Sequence, residues 1–138
     1  TPKPSSAASD VYKRQVKDVD KKSIIELSKE LGDLSQRARD KKLKPNELQS
    51  GTFTISSLGG VGGTFFTPII NPPEVAILGI SQSWWENIYS EKIKNNSPKY
   101  IMPFSLSYDH RVIDGVAGAS FTSKFSEVLE DISNFSDK

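Results

Sequence analysis

Six consecutive apolar residues, Val75-Ala76-Ile77-Leu78-Gly79-Ile80, leave this chain the least freedom in what it can fold into. A strand with one face in water alternates polar and apolar positions. This run does not, and it reads as a buried strand. Pro68, Pro72 and Pro73 punctuate the irregular segment before it, because a residue without a backbone N–H cannot sit inside a ladder. Whatever buries the run must come from the flanking sequence.

Two flanking segments alternate. Residues 52–57 set Phe53 and Ile55 against Thr54 and Ser56, which predicts a half-buried strand with its hydroxyls opposite the apolar pair. Residues 100–108 place Phe104, Leu106 and Tyr108 on one face and Ser105 and Ser107 on the other, predicting a single strand. Trp84 and Trp85 begin a polar stretch with no clear period. A hairpin turning near Asn95 and Asn96 fits its composition.

The two ends of the pattern are helical. Ile24, Leu27, Leu31, Leu34 and Ala38 predict an amphipathic helix over 21–42, capped by Asp18 or Asp20, with Lys41, Lys42 and Lys44 near the negative end of its dipole. Pro45 opens a short helical turn that stops at Gly51. Beyond Gly115, the residues Ala117, Phe121, Phe125, Val128 and Ile132 fall near one stripe of a closing helix. The order helix, strand, strand, strand, helix implies an α/β fold of the α+β type, a mixed or antiparallel sheet flanked by helices.

Composition narrows the chemistry. The 138 residues suffice for one core, and a formal net charge of +1 with interleaved signs offers no basic surface for a phosphate backbone or an anionic membrane. Neither nucleic acid nor membrane is an expected partner. The absence of cysteine excludes disulfides, thiolate metal sites and a cysteine nucleophile. With a single histidine as well, no metal is expected. No apolar run approaches the ~20 residues of a membrane span, so the chain reads as soluble and intracellular. Residues 1–15, rich in Pro, Ser and Ala, read as a disordered or non-native leader whose abrupt junction suggests a fusion or assembly scar.

His110 is that single histidine, and it falls between a predicted strand and a predicted helix in Ser107-Tyr108-Asp109-His110-Arg111-Val112-Ile113-Asp114-Gly115. Imidazole is the side chain that exchanges a proton near neutral pH, and loops at strand ends are where catalytic groups tend to sit. Asp109 and Asp114 are close enough in sequence to orient the ring or to balance Arg111. On composition alone, an ordinary turn residue inside a small ion-pair cluster is the better account of His110. Gly59-Gly60-Val61-Gly62-Gly63 fits neither a dinucleotide fingerprint nor a P-loop, so a tight turn or close backbone packing explains it better than a phosphate cradle. For Trp84 and Trp85, core or subunit contact is a better account than a ligand platform.

The run Asp109-His110-Arg111-Val112-Ile113-Asp114-Gly115 resembles the D-H-R-x-x-D-G signature of dihydrolipoamide acyltransferases, which is similar to the histidine motif of chloramphenicol acetyltransferases. Gly51-Thr52-Phe53-Thr54-Ile55-Ser56-Ser57-Leu58-Gly59-Gly60 and Thr67-Pro68-Ile69-Ile70-Asn71-Pro72-Pro73-Glu74-Val75-Ala76-Ile77-Leu78-Gly79 resemble the same family in the same order. The Ser-Ser-Leu-Gly-Gly and Pro-Glu-Val-Ala stretches favour the acetyl-transferring branch over the succinyl and branched-chain siblings.

That resemblance implies a partial chloramphenicol acetyltransferase-like domain, with residues 16–138 as the C-terminal part of the catalytic domain. It implies His110 as the general base that takes the thiol proton of coenzyme A or dihydrolipoamide, Ser56 as donor to the tetrahedral oxyanion, and Asp114 as a support of site geometry. It also implies acetyl-CoA and coenzyme A as substrates and a lipoyl group carried on a separate lipoyl domain. The expected assembly is a homotrimer, with His110 and Ser56 supplied to each site by neighbouring chains. Trimers would build a larger core that binds the 2-oxoacid decarboxylase and dihydrolipoamide dehydrogenase, in the bacterial cytoplasm or the mitochondrial matrix. The alternatives are a succinyl or branched-chain acyltransferase sibling, and a non-catalytic core component that kept the surfaces and lost the chemistry. Because the family's domain begins well before Val16, the polypeptide as given is expected to assemble poorly and to be nearly inactive.

Overall fold

The computed structural model describes residues 15–44, 51–91 and 94–135. The chain divides into two compact units, Thr1–Gly51 with Leu129–Lys138, and Thr52–Val128. The leader and the short helical turn expected after Pro45 lie outside the described residues.

In the first unit, a 3-10 turn at Val19–Lys21 precedes helix α1, Ile24–Arg39. The expected caps, Asp18 and Asp20, are not used. Asp18 stands in left-handed conformation at φ 51°, and the helix is capped by Ser23, whose hydroxyl accepts from the Glu26 N–H while the Glu26 carboxylate accepts from the Ser23 N–H. This reciprocal box satisfies two otherwise orphaned donors, which a lone aspartate further upstream cannot do. The ordered helix is shorter than the expected 21–42. Its basic last-turn residues are Arg37 and Arg39, and Lys41 follows at φ 56°. Of the apolar stripe, Leu34 and Ala38 are buried, while Ile24 and Leu31 remain exposed.

The second unit is built on a three-stranded sheet in the order β1 (Thr54–Ser57), β2 (Ala76–Ile80), β5 (Phe104–Tyr108). β1 runs parallel to β2 and β5 runs antiparallel to it, so the sheet is mixed, as the pattern implied. The apolar run is its central strand, with Leu78 only 1% exposed between Ile55 and Leu106. Pairing in register fixes the faces. Ile55, Leu78 and Leu106 point one way; Ser56, Gly79 and Ser105 point the other.

Helix α2, Gly115–Glu130, covers the first face. Phe125 meets Phe104 edge to face at 5.0 Å, Phe121 lies 6.0 Å from Phe53, and Gly118 is pressed against Tyr108. Positions 118, 121 and 125 form one stripe at helical spacing. Phe121 and Phe125 were expected there. Ala117 is exposed and Gly118 takes its place, because the Tyr108 ring needs the room a side chain would occupy. The stripe also ends earlier than expected, since Ile132 begins a separate 3-10 turn, Ile132–Phe135.

The second face is covered by the segment linking β1 to β2. Phe66 lies over Gly79, where an added Cβ would come 2.9 Å from Phe66 Cζ, and the Ser105 hydroxyl donates to the Phe66 carbonyl. Ile55, although on the helix-covered side, is 61% exposed because β1 is an edge strand of this sheet.

Residues 100–108, expected as one strand, belong to two. β4 (Asn95–Ile101) pairs with β3 (Trp84–Ser90) in a separate hairpin, and β5 begins at Phe104. Pro103 divides them: it has no N–H to give a ladder, and its carbonyl accepts instead from the Ser81 N–H at 3.1 Å. The hairpin turns just before Asn95, with Lys94 at φ 48°. Trp85 is 70% exposed and rests 5.2 Å from Tyr100, while the Trp84 indole N–H donates to Glu86.

Candidate active site

The segment Tyr108–Gly115 is a turn held by hydrogen bonds to Asp109 and Asp114. The Asp109 N–H donates to the Val75 carbonyl, extending the β2–β5 ladder by one residue. The Asp109 carbonyl accepts from the N–H groups of Val112 and Ile113, which closes the turn. The Asp109 carboxylate accepts from the Arg111 backbone N–H at 3.0 Å and from its guanidinium through both oxygens, at 2.6 to 3.1 Å. The Arg111 guanidinium and its backbone N–H hold the Asp109 carboxyl down to about 2, and the carboxylate raises Arg111 in return.

Asp114 caps α2. Its carboxylate accepts from the Ala117 N–H at 2.7 Å, and its carbonyl from the Gly118 N–H at 3.0 Å. Both carboxylates therefore serve the backbone and Arg111. Neither hydrogen-bonds to His110; of the two expected uses, orienting the ring or balancing Arg111, Asp109 fulfils the second, and His110 lies instead against Tyr108, ring centroids 5.7 Å apart and planes at 42°. The imidazole is exposed, and among the described residues its nitrogens have no hydrogen-bond partner.

Ser56 is half-buried near the end of β1, and among the described residues its hydroxyl has no partner either. The loop after it explains the glycines. Val61 and Gly62 donate to the Leu58 carbonyl, and Gly62 and Gly63 adopt φ of 118° and 94°, a region closed to most side chains. The loop is the tight turn that the spacing indicated.

The register keeps Ser56 and His110 apart. Ser56 pairs with Gly79, which pairs with Ser105; Tyr108, at the far end of β5, is three residues further along and two strands across. At about 3.3 Å per residue and 4.8 Å per strand, Ser56 is roughly 14 Å from Tyr108, and His110 lies beyond it. Ser56 also points to the Phe66 side of the sheet, whereas Tyr108, against which His110 rests, points to the α2 side. One chain does not bring these two groups together.

Tyr108 and Gly118 belong to this geometry and escaped the sequence reading. Tyr108 carried one signal, its place at the end of a strand two residues before His110. A glycine inside an otherwise helical stripe was the signal at Gly118.

A family model for the 2-oxoacid dehydrogenases acyltransferase catalytic domain matches residues 14–136. The chain belongs to this family. It is 51% identical over 116 residues to the dihydrolipoyllysine-residue acetyltransferase component of the pyruvate dehydrogenase complex of Cupriavidus necator, covering 84% of this chain and 21% of that protein. The corresponding component of Haemophilus influenzae is 54% identical over 116 residues, covering 84% and 20%. The chain thus spans about a fifth of the length of these curated relatives.

Solved acyltransferase structures have the same fold. The Azotobacter vinelandii dihydrolipoamide acetyltransferase superposes with a TM-score of 0.82 at 48% identity, covering 86% of this chain and 48% of that one. That structure was determined to investigate the roles of a serine, a histidine and an asparagine in its catalytic mechanism, the asparagine four positions after the histidine. The cubic core of a pyruvate dehydrogenase multienzyme complex gives 0.78 at 49% identity, covering 82% and 46%. Among the described residues, no helix is long and apolar enough to cross a membrane.

Proposed function

We propose that residues 16–138 are the C-terminal part of an acetyltransferase catalytic domain that moves acetyl between dihydrolipoamide and coenzyme A in a pyruvate dehydrogenase complex. One observation carries this reading: Asp109 and Asp114 are both engaged within the turn, which leaves the His110 imidazole as its free proton acceptor.

In this mechanism His110 takes the proton of the coenzyme A thiol. The thiolate attacks the thioester carbonyl of acetyl-dihydrolipoamide, and the Ser56 hydroxyl donates to the oxyanion that develops. Collapse of the tetrahedral intermediate breaks the bond to the dihydrolipoamide sulfur, which leaves with the proton held on His110. The substrates are thioesters and thiols; the lipoyl group arrives on its own domain.

The sheet register supports a site shared between copies of the chain, because Ser56 and His110 lie at opposite ends and on opposite faces. A homotrimer with sites at its interfaces, built into a larger core, answers that geometry. The likeness to a cubic core supports the same assembly. The partners of such a core are the decarboxylase, dihydrolipoamide dehydrogenase and the lipoyl domain, in a bacterial cytoplasm or a mitochondrial matrix.

The relative with a catalytic asparagine under study supports the roles of Ser56, His110 and Asp114, since Asp114 also stands four positions after its histidine. Counted from Ser56, the interval to His110 is two residues longer here. The hairpin β3–β4 lies within that interval, where two added residues would leave β1, β2 and β5 in register.

The test is acetyl transfer by the full-length assembled protein beside His110→Ala and Ser56→Ala, with succinyl-CoA and branched acyl-CoAs as competitors. Losses of about 10² to 10⁴-fold for the base and about 10² to 10³-fold for the oxyanion donor are expected, with assembly intact. An assembled wild type without transfer would leave a purely structural core component.

A further inference from the structure

We propose that Tyr108, seated on Gly118, is the positioning residue that sets the His110 imidazole. The inference rests on the reading of His110 as the general base. It begins from a mismatch in the turn: a base needs a fixed direction, yet no described residue hydrogen-bonds to this ring. What the ring does have is one aromatic neighbour, Tyr108, at 5.7 Å and a tilt of 42°.

Tyr108 is itself fixed from behind. A Cβ added at Gly118 would lie 2.8 Å from Tyr108 Cε1, 3.0 Å from Cζ and 3.2 Å from the hydroxyl oxygen, so the ring lies directly across the helix backbone. Gly118 is the one buried residue of α2, and its N–H donates to the carbonyl of Asp114, the helix cap. The helix is thereby tied to both ends of the arrangement. Asp114 fixes where α2 starts, α2 presents Gly118 to Tyr108, and Tyr108 in turn meets His110.

Glycine is a poor choice for the interior of a helix on backbone entropy alone, so its occurrence where α2 meets the Tyr108 ring has a steric reason. Even a methyl group there must displace Tyr108 by several tenths of an ångström, and the imidazole leaning on that ring moves with it. Misplacement of a reacting group by about 1 Å can cost on the order of 10²-fold in rate without changing how substrate binds.

Three variants separate the parts: Tyr108→Phe keeps the ring, Tyr108→Leu removes it, and Gly118→Ala displaces it. In the 138-residue chain, His110 is the only histidine, so its imidazole resonances are assigned without ambiguity. Tyr108→Leu and Gly118→Ala are expected to move those resonances as the ring current is lost or reoriented; Tyr108→Phe should leave them near the wild-type positions. In the full-length assembled protein, the first two are expected to lower kcat by about 10 to 100-fold with KM for coenzyme A nearly unchanged, and Tyr108→Phe to restore kcat.

Unmoved imidazole resonances in Gly118→Ala overturn the proposal, and that variant decides the matter should Tyr108→Leu not fold. Equal loss of kcat in Tyr108→Phe and Tyr108→Leu also overturns it, since the hydroxyl rather than the ring would then be responsible. Resonances that move as expected in a protein whose wild type transfers no acetyl would retain the packing arrangement and remove the catalytic reading of His110.

Discussion

Asp109 grips Arg111 through both carboxylate oxygens while the Arg111 side chain remains 89% exposed. The pair lies at the surface, so its value is in shaping the turn rather than in bulk stability. With its carboxyl held down to about 2, Asp109 stays ionised well below the pH at which an ordinary aspartate protonates. Its contribution to folding is therefore complete above the unfolded value near 4 and is lost as pH falls toward 2. A carboxyl carbon NMR titration should find its midpoint at about 2, and Arg111→Gln should return it toward 4. A wild-type midpoint near 4 would mean the grip is not held in solution.

Asp114 should behave as a helix cap before it behaves as anything catalytic. Asp114→Ala is expected to destabilise the fold by about 1 kcal/mol, whereas Asp114→Asn, whose side-chain oxygen accepts equally well, should cost little. Chemical denaturation of the two variants beside the wild type reads the difference. Equal losses in both would show that charge, not the cap hydrogen bond to Ala117, is what α2 requires.

Gly79 is the close-approach point on the other face. An added Cβ would fall 2.8 Å from Ser105 Oγ and 2.9 Å from the Phe66 ring. Overpacking of this kind costs about 1 to 3 kcal/mol, so Gly79→Ala should lower the melting temperature by several degrees. Ser105→Ala in the same chain should recover part of that loss by vacating the nearer position. No recovery would assign the clash to Phe66 alone.

What could be read before the structure divides along physical lines. The buried run at Val75–Ile80 was legible because six apolar residues admit few alternatives, and the stripe of Phe121 and Phe125 because a periodic pattern repeats its evidence. Local chemistry that competes with periodicity was harder to read. Residues 100–108 read as one strand, apolar at first and alternating from Phe104, yet the missing N–H of Pro103 splits them between two sheets. Asp18 and Asp20 suit a helix start as well as Ser23 does by residue type; what decides is that Ser23 alone has a glutamate three positions on to return the bond. At the site, His110 and Asp114 stood out through their motif, while Gly118 did not, because the reason for a glycine lies on a strand ten residues away in sequence.

The opposed placement of Ser56 and His110 has a consequence at the level of inheritance. If each site draws its serine from one copy and its histidine from another, a Ser56→Ala chain and a His110→Ala chain, each inert alone, carry the half that the other lacks. Co-expressed in equal amounts and mixed at random, they should reconstitute about one site in four. Two defective alleles would then complement each other within a single gene, and a cell carrying both would outgrow a cell carrying either.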